Sequence, residues 1–422
     1  MRRYPPGFLS LSASVACERF SFFLLLSLLL LYLTEPLGFT TARATDVLGC
    51  FIAATYVSPL LGGMLADGRL GIVRTASLGY LIGAAGYALL LVPQVPALYV
   101  GLTLIALGSG SAKSAPQALA TRMYVHAPER RDSDLTLIYL LANASAVVSP
   151  VIGETARAWF GWPAAFAVAS MGLVASWGIL AAQRAVLRAT EQIQPAATNA
   201  GSATVDGSPR LLLGLCLLSM LFTIAHTQSS STLLLWARDH TNRRVLGGEL
   251  PVPYIASLHA GLVIAVAPLV SRALSRLRIA PGLHTILIKI GMGLGATSLA
   301  FVPMVLAAHI ESGRTLSGLG WILCCLALLS VAELLIGALG PSFVLRLAPA
   351  QTGGRWLGIW FLATAAGFWL AGRLGVFWDR VSHELFFAML AGLPLLGVAI
   401  CRMLIRQTQT PQRDSPPHSP GH

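Results

Sequence analysis

Twelve separate stretches of this chain are apolar enough and long enough to cross a lipid bilayer, and nothing else in the sequence limits its fold so tightly. They fall near residues 15–34, 46–66, 75–92, 97–120, 135–155, 163–183, 211–236, 253–271, 284–307, 317–345, 356–375 and 385–405. A helical span takes about 20 mostly apolar residues, whereas barrel strands read as roughly 10-residue alternating segments, so these runs predict helices. Composition points the same way: 55 % of the 422 residues are hydrophobic and only 11 % are charged, less than half the charge of a soluble domain. A soluble, disordered or nucleic-acid-binding chain is thereby excluded. The fold class expected is an all-α polytopic membrane protein. The first run follows Met1-Arg2-Arg3 but lacks a small-residue cleavage site and carries Glu18-Arg19 inside it, so it reads as a retained span rather than a leader. All six cysteines lie in or beside apolar runs without metal-ligand spacing and read as small buried hydrophobes.

Charge then assigns sides. With the N-terminus placed in the cytoplasm, the cytoplasmic positions hold 18 of the 29 basic residues, the outer loops 8 and the spans 3. Acidic residues divide as 7 inside, 8 outside and 2 embedded, leaving +11 inside against 0 outside. Basic residues concentrate in cytoplasmic loops of membrane proteins, so both termini are expected there. The outer loop with Arg238, Arg243 and Arg244 is a local exception. The longest polar break, rich in Ala, Thr, Gln, Ser and Gly, separates six runs from six and reads as a flexible linker. The expected organisation is an N-terminal bundle over 1–183, a cytoplasmic linker over 184–209, a C-terminal bundle over 210–406 and a disordered tail over 407–422. This layout, with the loop Gly62-Gly63-Met64-Leu65-Ala66-Asp67-Gly68-Arg69-Leu70-Gly71-Ile72-Val73-Arg74 after the second run, resembles the major facilitator superfamily. That resemblance implies two six-helix bundles with a substrate site between them at mid-depth.

Embedded charges are costly in a bilayer and mark function by default. Glu18 and Arg19 fall in the first run, Lys113 in the fourth, Lys289 in the ninth and Glu333 in the tenth. The only two lysines of the chain are both within spans. Lys289 is close enough to a membrane face for its stem to snorkel. Lys113 lies in Gly108-Ser109-Gly110-Ser111-Ala112-Lys113-Ser114, whose small side chains are expected to leave room for a cavity. Glu18, Arg19, Lys113 and Glu333 sum to zero charge, and a switchable contact between Lys113 and Glu333, closing when the halves approach, is expected. Positions 15, 18, 19 and 22 share one helix face, which directs acid and guanidinium to the same side.

Val15-Ala16-Cys17-Glu18-Arg19-Phe20-Ser21-Phe22-Phe23 resembles the E-x-x-E-R-F-x-Y-Y motif of the proton-dependent oligopeptide transporter family. Tyr56, Lys113, the Tyr139-Leu140-Leu141-Ala142-Asn143 segment, Gln228-Ser229-Ser230, Glu333-Leu334-Leu335 and Gly358-Ile359-Trp360-Phe361-Leu362 follow in that family's order. Departures stand at Val15, at the two phenylalanines replacing tyrosines, at Leu26 and Thr227, where an inter-helix ion pair is lost from both sides at once, and at His259-Ala260.

The resemblance implies a secondary active transporter for di- or tripeptides or similar zwitterions, coupled to protons and needing no cofactor. Arg19 and Lys113 would take the substrate carboxylate, Glu333 the ammonium, and Tyr56, Asn143 and Gln228 would supply hydrogen bonds. Phe22, Phe23 and Trp360 would be apolar walls. Glu18 and Glu333 are the expected proton-coupling carboxylates, with His226 and His259 as further candidates. No G-x-x-x-x-G-K-[ST] loop occurs, so a nucleotide-driven pump is not expected, and without a catalytic constellation in the sequence neither is an enzyme. A drug or metabolite exporter and a non-transporting membrane sensor on the same fold are the alternatives. The partners expected are the bilayer of an inner membrane and a small-molecule substrate, with no nucleic acid.

Overall fold

The computed structural model describes residues 4–68, 70–125, 128–193, 209–245, 247–276, 283–311, 316–337, 340–349 and 352–409. Twelve of its helical segments are long and apolar enough to cross a membrane. In chain order the N-terminal half contains α1 (Phe8–Thr34), α2 (Thr41–Asp67), α3 (Ile72–Leu89), α4 (Val95–Arg122), α5 (Pro128–Phe160) and α6 (Trp162–Ala182), followed by the short α7 (Arg184–Glu191). The C-terminal half contains α8 (Pro209–His226), α9 (Thr232–Asp239), α10 (Tyr254–Arg276), α11 (Leu283–Glu311), α12 (Leu319–Ile336), α13 (Gly340–Leu347), α14 (Gly353–Leu374) and α15 (His383–Gln409). An even number of crossings puts the start of α1 and the end of α15 on one face, the terminal side. The chain is a multi-pass membrane protein.

Small residues bring the helices of the N-terminal half together. A Cβ added at Gly62 would stand 2.7 Å from the Gly110 carbonyl carbon, one at Gly108 2.7 Å from the Gly83 backbone nitrogen, and one at Gly86 2.7 Å from the Gly101 oxygen. Between apolar helices in lipid, backbone approach of this kind supplies the dispersion contact that a hydrophobic effect cannot. The glycines before Lys113 therefore close α4 onto α2 and α3, where the sequence suggested that they open a cavity. Gly63, the second glycine of the loop motif, faces open space.

Two of the expected spans are broken. Run seven divides into α8 and α9 around a 3₁₀ turn over Thr227–Ser230. Here Thr227 Oγ1 donates to the Thr223 carbonyl (2.6 Å), and Ser231 Oγ and Thr232 Oγ1 donate to Gln228 Oε1 (2.9 and 2.8 Å). Ser and Thr side chains that bond nearby backbone compete with helical hydrogen bonding, and a run of them loosens the helix. Run ten ends as α12 at Ile336 and resumes as α13 at Gly340, whose first turn holds Pro341, the part of a helix where a residue without a backbone N–H is tolerated.

The expected flexible linker begins as structure. Leu187 of α7 is fully buried, and the Glu191 carboxylate accepts the Ile72 backbone N–H at the start of α3, whose N-cap residue Gly71 has no side chain to offer. Arg122, in the last turn of α4, donates to the Glu191 carbonyl. An apolar contact and a carboxylate at a helix N-terminus are enough to hold one more helical turn or two. The rest of the expected linker and tail, residues 194–208 and 410–422, and Arg69 of the loop motif lie outside the described residues.

Candidate functional site

The halves meet along α2 against α14 and α5 against α10. At the face opposite the terminal side, the first contact is backbone on backbone. A Cβ at Gly49 would lie 2.7 Å from both Gly372 Cα and the Phe368 oxygen, and one at Gly372 2.6 Å from the Thr45 oxygen. The Arg373 guanidinium pairs with Asp46 at 3.1 Å, and Arg238 donates to Thr34 Oγ1 at 3.2 Å across the same face. That end is sealed.

Below the seal lies a cavity of ≈ 530 Å³ between the halves, within the roughly 300–1,000 Å³ of ordinary small-molecule sites. Tyr139, in the half of α5 nearer the terminal side, lines it and is 50 % exposed, so the lining extends toward that side. Phe22, Phe23, Tyr56, Trp360, Phe361 and Phe368 make its aromatic walls, and Tyr56 meets Phe368 across the two halves with ring centroids 4.6 Å apart. Asn143 faces the cavity and donates to the Tyr139 carbonyl one turn back at 2.8 Å.

The polar focus is a cluster of three side chains, all from the C-terminal half. His226 ends α8 just where the polar turn begins, His259 is on α10 and Glu333 on α12. Glu333 Oε2 lies 3.3 Å from His226 Nε2 and 3.8 Å from His259 Nε2. All three side chains line the cavity. A carboxylate in a low-dielectric site needs a partner, and in this conformation two imidazoles supply it.

Other sequence candidates sit outside that lining. Glu18 and Arg19 form a bidentate pair with each other (2.5 and 2.7 Å). The Glu18 side chain is 4 % exposed and faces a nook beside Gly79, Tyr87 and Ser109 within the N-terminal bundle. The shared helix face thus leads, for Phe22, into the cavity, and for Glu18 into the bundle. Lys113 Nζ rests 4.6 Å from the Phe22 ring centroid and 5.3 Å from that of Tyr56, and donates to the Thr55 carbonyl at 3.4 Å. Among the described residues it has no carboxylate at ion-pair distance. Cation–π contact stabilises a buried ammonium by up to about 2 kcal/mol, which lets Lys113 lie behind the aromatic wall. Gln228 is fully buried: its amide N–H groups donate to the Ile224 and Ala371 carbonyls (3.3 and 3.2 Å) while its oxygen accepts from the Ser231 and Thr232 hydroxyls that follow the turn. Its hydrogen bonds are spent on joining α8 to α14.

Comparison with known proteins agrees with this architecture. The family model for the Major Facilitator Superfamily matches residues 11–372. The dipeptide and tripeptide permease A of Erwinia pyrifoliae is 26 % identical over 88 % of this chain and 85 % of its own length. The peptide transporter YePEPT of Yersinia enterocolitica is 26 % identical over 85 % of each chain. A crystal structure of a peptide transporter POT in complex with sulfate superposes with a TM-score of 0.86 at 23 % identity, covering 96 % of this chain and 95 % of that one. With two six-helix halves, a cavity between them and a family match across most of its length, the chain belongs to the Major Facilitator Superfamily.

Proposed function

We propose that this protein carries short peptides, or zwitterions of similar size, across a bacterial inner membrane in symport with protons, by alternating access and without a cofactor. The observation that carries the reading is the Glu333 carboxylate, set in the cavity wall with two imidazoles in reach. A carboxylate there can pair with a protonated histidine or with the ammonium of a substrate, but the two cations compete for it, and such exchange couples a proton to a cargo. The peptide carriers among its relatives support the cargo class. Asn143 and Tyr56 offer hydrogen bonds to the peptide unit. Lys113, one ring's thickness behind Phe22 and Tyr56, serves the substrate carboxylate once those rings swing aside, and Arg19 adds positive potential from behind. With cytoplasmic termini, the conformation described is inward-facing: sealed outside at Gly49 and Gly372, open to the cytoplasm.

The test is uptake of a radiolabelled dipeptide into proteoliposomes under an imposed pH gradient. Wild-type protein should accumulate it, whereas Glu333→Gln should lose accumulation and keep some exchange without a gradient. Failure of every di- and tripeptide tried would overturn the cargo. Undiminished accumulation by Glu333→Gln would overturn the coupling role. The aromatic walls favour one second reading, an exporter of apolar cations, which the same vesicles loaded with such a cation would reveal.

A further inference from the structure

The cluster that faces the cavity has the composition and spacing of a metal site. We propose that His226, His259 and Glu333 bind one divalent transition-metal ion of the Zn²⁺ class. Their ligand atoms all lie within 4.8 Å of one another. Around a tetrahedral Zn²⁺ with bonds of about 2.0–2.2 Å, neighbouring ligand atoms stand about 3.3–3.6 Å apart. The 3.3 Å from His226 Nε2 to Glu333 Oε2 already meets that, the 3.8 Å from His259 Nε2 exceeds it by a few tenths of an ångström, and the imidazoles, within 4.8 Å of each other, would close up around the ion. His259 Nε2 is buried and, beyond its 3.8 Å approach to Glu333, has no hydrogen-bond partner among the described residues, so an ion would satisfy a ring nitrogen that no hydrogen bond reaches. Two imidazoles and a carboxylate favour Zn²⁺, Co²⁺, Ni²⁺ or Cu²⁺ over Mg²⁺ or Ca²⁺. Three protein ligands leave a fourth position, and the Glu333 side chain is 39 % exposed toward the cavity, which supplies both an entry path and room for a water or a substrate donor atom.

All three ligands belong to one half of the molecule, on α8, α10 and α12. Rocking of one bundle against the other therefore leaves the ligand set together, unlike a contact made between halves. Ion binding itself requires no assumption about what is carried. Its consequence for transport rests on the reading above: an ion on Glu333 occupies the carboxylate that would receive the substrate ammonium, so Zn²⁺ should inhibit uptake competitively.

The experiment is a Co²⁺ titration of the purified 422-residue chain, freed of any affinity tag, followed by visible absorption and then by displacement with Zn²⁺. One equivalent should produce an intense four- or five-coordinate d–d band that one equivalent of Zn²⁺ bleaches. His259→Asn and Glu333→Gln should each weaken binding by ~10-fold or more. His309→Asn, which alters only an exposed pair with Glu384, should leave it unchanged. A second readout needs no variant: Zn²⁺ should shield His226 and His259 of the wild-type chain from diethyl pyrocarbonate, as mapped by mass spectrometry. Absence of the band, a band indifferent to both ligand substitutions, or histidines modified equally with and without Zn²⁺ would overturn the site. A band in a protein that takes up no peptide would support the site and count only against the transport reading.

Discussion

Gly49→Ala isolates the energetics of the seal between the halves. The added methyl carbon would stand 2.7 Å from Gly372 Cα and from the Phe368 oxygen, and both obstacles are backbone, so no side-chain rotation relieves the clash. Inserting a methyl into a contact of this kind costs about 1–3 kcal/mol. The cost is borne only where α2 and α14 touch, that is, in the conformation described here. It should therefore shift the population toward the opposite-facing state by roughly 5- to 150-fold. The helix itself is not weakened, because Ala is favoured over Gly in a helix by about 1 kcal/mol. Gly63→Ala, on the same helix with open space around it, is the matched control. Spin labels at the exposed Arg43 and Arg380, in a background lacking the six native cysteines, would report the distance across this face by pulsed electron resonance. Gly49→Ala should add a longer-distance population that Gly63→Ala does not, and it should slow uptake by trapping one face open. An unchanged distance distribution in a folded Gly49→Ala protein would refute the argument that this backbone contact is the seal.

Three further outcomes are expected. Reversing either member of the Asp46–Arg373 pair should loosen the same face by less than Gly49→Ala does, because an exposed pair contributes about 0–1 kcal/mol, and reversing both should restore the wild-type distance distribution. Glu18→Gln leaves Arg19 without its bidentate partner, a loss of about 3–5 kcal/mol for a buried pair; thermal melting in detergent should show a larger drop for that single change than for Glu18→Gln with Arg19→Gln. A cysteine placed at residue 202, in the segment between the halves, should resist a membrane-impermeant thiol reagent in intact cells and react after permeabilisation, and labelling before permeabilisation would reverse the assigned topology.

The spans and the six-plus-six division were legible because a bilayer imposes one crude rule, length with apolarity, which needs no knowledge of neighbours. Glu333 was legible for a related reason, since an acid in an apolar run has few bland explanations. What it pairs with was not. Sign complementarity points to Lys113 as a partner on closure of the halves; in the conformation described, His226 and His259, on helices of the same bundle, stand beside Glu333 while Lys113 lies behind Phe22. Gln228 illustrates the opposite failure: a polar residue in a matching motif, its hydrogen bonds consumed by the break that its neighbours Thr227, Ser231 and Thr232 create. The cluster Thr227-Gln228-Ser229-Ser230-Ser231-Thr232 was the available signal, being a helix-breaking run in the middle of a span. The glycines before Lys113 are ambiguous in one dimension, because a small side chain either leaves a gap or admits a neighbour, and only the position of Ser58 and Gly83 tells which.

The short helix after the sixth span bears on how the chain is made. Glu191 caps α3, Arg122 reaches back to it, and Leu187 fills the space beside Gly7 and Met123. Every one of these groups is encoded before residue 192. A ribosome that has translated only the first half has therefore already produced the clasp that fastens it. The first bundle can consolidate in the membrane while the seventh span is still being synthesised, and the second bundle then assembles against a finished template.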